Sequence, residues 1–213
     1  MRFNSDQIQK IGKEISSKVD GKTLFDEFSR GRYSTDASVY QIKPLGVVLP
    51  KDTNDVLSLM EYSQKNSVPL LARGGGSSQC GQTVGESVVL DYSKHQNKIL
   101  ELNVEEKYVW VQPGVVLDHL NAYLKPHGLW FPVDVSTSSR ATIGGMSANN
   151  SCGSRSLYYG NMVHNVLAIE AILDDGSIFN FDQINKNYLA TKNNQDRLYK
   201  IIDKFIDVRQ QVG

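Results

Sequence analysis

Residues 73–78 read Arg-Gly-Gly-Gly-Ser-Ser and follow a short apolar run at 68–72. Glycine has no Cβ, so Gly74, Gly75 and Gly76 can adopt positive φ and aim successive backbone N–H groups into one concavity. Arg73, Ser77 and Ser78 add a cation and two hydroxyl donors. The chemistry open to such a loop is anion binding, with a pyrophosphate as the expected ligand. A glycine-rich turn between two strands would carry the same triplet, so the triplet alone does not separate the two readings.

Two better-known phosphate loops are tested by register. A Walker loop needs Gly-x-x-x-x-Gly-Lys-Ser/Thr, and the chain has no such pattern; Gly21-Lys22-Thr23 has Ser16 where the first glycine would stand. A Rossmann fingerprint, Gly-x-Gly-x-x-Gly, ends on Gln79 when started at Gly74 and meets Ser78 when started at Gly76. A second segment, 131–153, is dense in hydroxyls, amides and small residues and includes Gly144, Gly145 and Gly153. A long surface loop is the plain alternative, but unstructured loops of this length are uncommon in compact domains. Two anion-compatible segments in one small chain point to an extended ligand.

The elements that must position these segments follow from periodicity. Ile8, Ile11, Ile15 and Val19 predict an amphipathic N-terminal helix, and 41–49 an extended stretch ending at Pro50. A helix capped by Asp52 or Thr53 is predicted to about Asn66, with Val56, Leu59, Met60 and Ser63 on one face. Strands at 68–72 and 87–91 then complete a small β-α-β arrangement whose sheet order stays open. Beyond residue 99 come a strand at 108–112, a Pro113-Gly114 turn and a helix over 116–125 through Leu117, Leu120 and Leu124. Asp174-Asp175-Gly176 predicts a hairpin between 165–173 and 177–181, and Leu198, Ile201, Ile202 and Phe205 a helix over 196–208.

Composition fits one domain-sized core: 213 residues, 40% hydrophobic, with 23 basic against 23 acidic side chains. No basic cluster marks a nucleic-acid surface, and no apolar run approaches the ~18 residues of a membrane span. The polar start argues against a signal peptide. The chain is expected in the cytoplasm, with any attachment at the periphery of the inner membrane made through a partner. Cys80 and Cys152 are expected as free thiols. His95, His119, His127 and His164 lack metal-pair spacing, so no metal site is expected.

The motifs together carry a resemblance. Arg-Gly-Gly-Gly-Ser-Ser at 73–78, Gly-Gln at 81–82, Thr-Ile-Gly-Gly-Met-Ser-Ala-Asn-Asn-Ser-Cys-Gly at 142–153, Tyr-Gly at 159–160 and Asp-Asp-Gly at 174–176 resemble the FAD domain of the FAD-linked oxidases, the vanillyl-alcohol oxidase and p-cresol methylhydroxylase (PCMH) type. The resemblance covers roughly 33–181. It is nearest the D-2-hydroxy acid dehydrogenase branch, which includes D-lactate dehydrogenase, the glycolate oxidase FAD subunit and D-2-hydroxyglutarate dehydrogenase. The run at 136–146 is similar, more narrowly, to long bacterial members in which an iron–sulfur domain follows the flavin domain. Val135 departs from the pattern, since many relatives have proline there.

The resemblance implies an α+β fold, a PCMH-type FAD-binding domain of two α/β subdomains. The small one has parallel strands (about 41–100) and the larger a mixed or antiparallel sheet (about 101–213), behind an N-terminal helix and lead-in at 1–40. It implies that the amides of Arg73, Gly74, Gly75, Gly76, Ser77 and Ser78 receive the FAD pyrophosphate, with Gln82 toward the flavin. Pro132, Asp134, Thr137, Thr142, Gly144, Gly145, Ala148, Asn149 and Gly153 line the cofactor from the other side, Tyr159 bounds the flavin mouth and Ile169 meets the adenine end. Covalent members place a histidine directly after the three glycines; Ser77 stands there, so FAD is expected without a covalent bond. The family's substrate cap, with its catalytic groups, continues beyond such a domain, so the chain reads as a fragment that does not turn over substrate by itself. An iron–sulfur cluster would belong only to an absent C-terminal region, the small-molecule substrate to the absent cap, and the electron acceptor stays unassigned. Another oxidase of the same fold, or a non-catalytic flavin-binding module, are the alternatives.

Overall fold

A computed structural model describes residues 3–182 and 197–212. The chain divides into two compact units, Met1–Val166 and Leu167–Gly213.

The first unit opens with α1 (Ser5–Ser16), whose cap Asn4 and Gln7 exchange side chain-to-backbone hydrogen bonds of 2.9 and 2.8 Å. Such a capping box is worth about 1 kcal/mol. Burial of Ile8, Ile11 and Ile15, at about 1.5–3 kcal/mol each, is the larger contribution. The helix stops before Val19, which lies outside it. Next come β1 (Lys22–Leu24) and α2 (Glu27–Arg32), neither of which the apolar periodicity indicates.

The main sheet has the order β1-β2-β4-β3, where β2 is Gly46–Leu49, β3 Leu70–Arg73 and β4 Val88–Asp91. β1 runs antiparallel to β2, while β2, β4 and β3 are parallel. α3 (Thr53–Asn66) joins β2 to β3, and β4 inserts between those two strands, leaving β3 at the edge. Asp52 caps α3 by accepting from the N–H groups of Asn54 and Asp55. The buried face of α3 is Asp55, Val56, Leu59 and Tyr62, in place of the predicted Met60 and Ser63. Asp55 is buried because its carboxylate accepts from the backbone N–H groups of Asp20, Gly21 and Lys51 at 2.7–2.9 Å, tying the approach to β1 onto the end of β2.

The sheet leads into a second layer. β5 (Ile99–Asn103) and β6 (Tyr108–Val111) pair antiparallel, and α4 (Leu117–Leu124) buries Leu117, Leu120 and Leu124 as its spacing predicts. Residues 131–153 are not a loose loop. Val133, Ala141 and Met146 are buried with Leu117 and Met162 in one cluster, and the segment forms the short helix α5 (Ile143–Ala148); two more, α6 (Ser156–Tyr159) and α7 (Met162–Asn165), follow it.

In the second unit, β7 (Ile169–Ile172) and β8 (Ile178–Phe181) form the predicted antiparallel hairpin, turning at Gly176 with φ +81°. α8 (Arg197–Val212) buries Ile202 but leaves Phe205 exposed. Residue 196, the predicted start of that helix, and the side chain of Leu198 lie outside the described residues. Parallel and antiparallel sheets with interleaved helices agree with the α+β class expected.

Candidate cofactor site

The edge strand β3 delivers its carboxyl end into the first glycine loop, the position where open parallel sheets bind ligands. The Arg73 carbonyl accepts from Tyr92 N–H at 3.0 Å, holding the entry to the loop against the end of β4.

The glycines do not act as the triplet suggested. Only Gly76 adopts positive φ, +63°, joined further on by Gly81 at +74°. Gly74 and Gly75 are required for space: a Cβ on Gly74 would run into Thr142 Oγ1, and one on Gly75 into the carbonyl oxygen of Arg140. Both partners belong to the second glycine-rich segment, so bare backbone seats the first loop on the second. Which glycine bends and which makes room is decided by what lies opposite, and the local sequence carries no signal of it.

Side chains join the same two segments. Ser78 Oγ donates to Gln82 Oε1, Gln82 Nε2 donates to Asn149 Oδ1 at 3.0 Å, and Asn149 Nδ2 donates to Ser151 Oγ at 3.2 Å. Among the described residues, the backbone N–H groups of Gly75, Gly76, Ser77 and Ser78 have no protein acceptor. Four adjacent donors next to a short polar chain fit a polyanionic ligand such as a dinucleotide pyrophosphate.

Arg73 is placed differently from the expectation that its charge adds to these donors. Its guanidinium donates to the carbonyls of Tyr33 (3.4 Å), Thr83 (3.1 Å) and Thr35 (2.8 Å) and lies 5.2 Å from the Tyr33 ring centroid. It is engaged by main-chain oxygens from two segments.

On the second segment, Thr142 is buried, caps α5, and accepts a long 3.4 Å hydrogen bond from Gly145 N–H. Gly144 does not offer its amide to a ligand. Its N–H donates to Pro113 O at 2.9 Å, and a Cβ there would lie 2.5 Å from Pro113 Cβ, so its role is to seat α5 on the 113–114 turn. Asp134 fastens the far end: it accepts from Ser154 Oγ (2.7 Å) and Arg155 N–H (3.1 Å), and the Ser154 hydroxyl bond chiefly holds its carboxyl below the usual range. A Cβ on Gly153 would collide with the Asp134 carbonyl. Thr137 O closes a turn by accepting from the N–H groups of Arg140 and Ala141, and Pro132 precedes buried Val133. Ala148 ends α5 and is exposed.

Tyr159 packs its ring edge-on against Trp130, with centroids 5.1 Å apart, and the Arg155 guanidinium stands 5.1 Å over the same indole. Ile169 lies on β7 in the second unit and is partly exposed. Cys80 and Cys152, one in each glycine-rich segment, are free and exposed. Among the described residues no group of three or more His, Cys, Asp or Glu side chains could hold a metal, and no helix is long and apolar enough to cross a membrane.

Known proteins share these features. A family model described as an FAD binding domain matches residues 44–182. D-2-hydroxyglutarate dehydrogenase of Haemophilus influenzae is 42% identical over 155 residues, which are 71% of this chain and 15% of that protein. Glycolate oxidase subunit GlcD of Bacillus subtilis is 37% identical over 176 residues, 80% of this chain and 37% of that one. The chain therefore spans well under half the length of either relative. Among solved structures, alkyldihydroxyacetonephosphate synthase superposes with a TM-score of 0.71 at 20% identity, over 86% of this chain and 36% of that one. p-Cresol methylhydroxylase superposes with a TM-score of 0.68 at 18% identity, over 83% and 36%. At these identities the solved structures establish the fold, which is that of the PCMH-type flavoenzymes. The family match covers most of the chain, and the seated glycine loops lie within it: the chain belongs to the FAD binding domain family.

Proposed function

We propose that this chain is the FAD-holding part of a dehydrogenase that oxidises a D-2-hydroxy acid, and that it holds FAD without a covalent bond. The observation that carries the reading is the seating of the 74–78 loop on the 140–149 segment, beside four backbone N–H groups with no protein acceptor among the described residues. Those amides, with the Ser77 hydroxyl, would hold the pyrophosphate; Ser78, through its bond to Gln82, and Asn149 would line the cofactor where the segments meet. Thr142, Gly144 and Gly153 would act by fixing the second wall, and Tyr159 by bounding its edge. FAD supplies the hydride acceptor for oxidation of the hydroxyl-bearing carbon when it is bound. This chain's residues orient it and shield its phosphates from competing water.

The substrate class rests on the printed names of the relatives, D-2-hydroxyglutarate dehydrogenase and a glycolate oxidase subunit. The chain spans 15% and 37% of those two relatives, and substrate binding and proton transfer are assigned in this proposal to the remainder. The electron acceptor is unassigned, and an iron–sulfur cluster would be carried only C-terminal to it. The protein works in the cytoplasm, with any contact at the inner membrane made through a partner.

The test is titration of the purified chain with FAD and FMN, followed by denaturation and intact-mass measurement. FAD should bind at least about tenfold more tightly, because FMN lacks the pyrophosphate that the donors address. The denatured polypeptide should carry no added mass. Equal affinity for the two flavins would overturn the FAD reading, and a covalent adduct would overturn the mode of attachment. Bleaching of the bound flavin by D-2-hydroxyglutarate, D-lactate or glycolate at an enzyme-like rate would show that the chain turns over by itself, against this proposal.

A further inference from the structure

Residues 33–42, which lie outside the family match, form a small closed loop of their own. Ile42 N–H donates to Ser34 O at 2.8 Å, Thr35 and Gln41 form an antiparallel bridge, Asp36 accepts from Ser38 N–H, and Ser38 Oγ accepts from Tyr40 N–H. This loop grips the first glycine loop at its entry, bend and exit. At the entry, Tyr33 OH donates to Asp91 Oδ2 at 2.7 Å, and Asp91 is the β4 residue in register with Arg73. At the exit, Thr83 Oγ1 donates to Asp36 Oδ2 at 3.0 Å, and the Tyr40 ring lies so near Gly81 that a Cβ there would come within 2.5 Å of it. Between these points stands the Arg73 guanidinium, bonded to Tyr33 O, Thr35 O and Thr83 O. A Cβ on the left-handed Gly76 would lie 2.5 Å from Arg73 Nη2, so the guanidinium occupies the space beside the bend.

We propose that residues 33–42 are a strap that sets the shape of the glycine loop, and that Arg73 is the positioning residue coupling strap to loop, not a ligand of the pyrophosphate. The claim deepens the FAD reading and rests on it for the ligand, but its structural half stands apart. A planar guanidinium can donate to three carbonyls in fixed directions and stack on a ring; an ammonium keeps the charge and loses that fork.

The experiment compares the full chain with Arg73→Lys, Arg73→Ala and Thr83→Val, measuring FAD affinity across a salt series and hydrogen exchange of the ligand-free proteins. Arg73→Lys should lose about tenfold in FAD affinity, close to Arg73→Ala, with the salt dependence unchanged, and should speed exchange across 74–83 while β4 stays protected. Thr83→Val, which alters no charge, should move both readouts in the same direction by less, and it carries the test with Arg73→Lys if Arg73→Ala fails to fold. Wild-type affinity in Arg73→Lys, or a salt dependence that flattens in Arg73→Ala alone, would mean a phosphate ligand and overturn the proposal. If the wild-type chain binds no FAD, the FAD reading fails by itself. The strap is then judged by exchange alone, and unchanged exchange across 74–83 in Arg73→Lys overturns it.

Discussion

Gln82 Nε2 and Asn149 Oδ1 meet at 3.0 Å across 67 residues of sequence, the one side-chain hydrogen bond between the two glycine-rich segments among the described residues. Both residues are exposed, so the bond contributes little to global stability, on the order of 0.5–1.5 kcal/mol. Its effect is on the relative placement of two walls. Gln82→Ala and Asn149→Ala should each weaken FAD binding several-fold while leaving the thermal midpoint nearly unchanged. A double-mutant cycle in FAD affinity should give a coupling of about 1 kcal/mol. Strict additivity would mean that the two side chains act on the cofactor independently.

Gly74 and Thr142 give a second expectation. At Gly74 the backbone does not require positive φ, so alanine carries no conformational penalty there, yet its Cβ would run into Thr142 Oγ1. Gly74→Ala should destabilise the chain by about 1–3 kcal/mol in urea unfolding, as overpacking does. The penalty should shrink in a Thr142→Ala background, where the opposing oxygen is gone. Gly76→Ala should cost about 1–2 kcal/mol or more in either background, because its strain comes from a left-handed conformation and from the Arg73 guanidinium beside it, neither of which involves Thr142. Equal penalties for Gly74→Ala with and without the Thr142 hydroxyl would refute the packing account.

Tyr33 gives a third. Burial, then its hydrogen bond to Asp91, raises its phenol from 10.0 to about 12. In the unfolded chain the phenol ionises near 10, while the folded protein keeps the proton to about 12. The contribution is therefore full below pH 10 and is lost as pH rises through about 12. Burial raises Tyr92 to about 12 as well, with the same sign. Urea midpoints measured from pH 8 to 12 should fall above pH 10, and Tyr33→Phe should fall less steeply. An identical slope in the variant would remove Tyr33 from the account.

Periodicity made much of the scaffold legible. α1, α3 and α4 carry isoleucine, valine or leucine at helical spacing, and the 174–176 turn announces its hairpin. β1 escaped notice because three residues, Lys-Thr-Leu, hold no readable period. α5 and α7 escaped because six- and four-residue helices are held by Met146 and Met162 in a shared cluster more than by local propensity. In the site, the two glycine-rich segments could be found from composition alone. The division of labour among Gly74, Gly75 and Gly76 could not, since it depends on Thr142 and Arg140, which are distant in sequence. Arg73 was legible as a cation beside the loop, but its partners are carbonyl oxygens, which every residue has and no side-chain pattern reveals.

The antiparallel pairing of β1 with β2 has a consequence for where this protein can be cut. The family model begins at residue 44, yet β1, the isoleucines of α1 and two of the three backbone amides held by Asp55 come earlier in the chain. A polypeptide trimmed to the recognisable boundary would lay bare the flank of β2 and leave a buried carboxylate without two of its three donors. The smallest piece able to fold is therefore larger than the piece that the family model outlines, and what its extra residues supply is the closing of an edge.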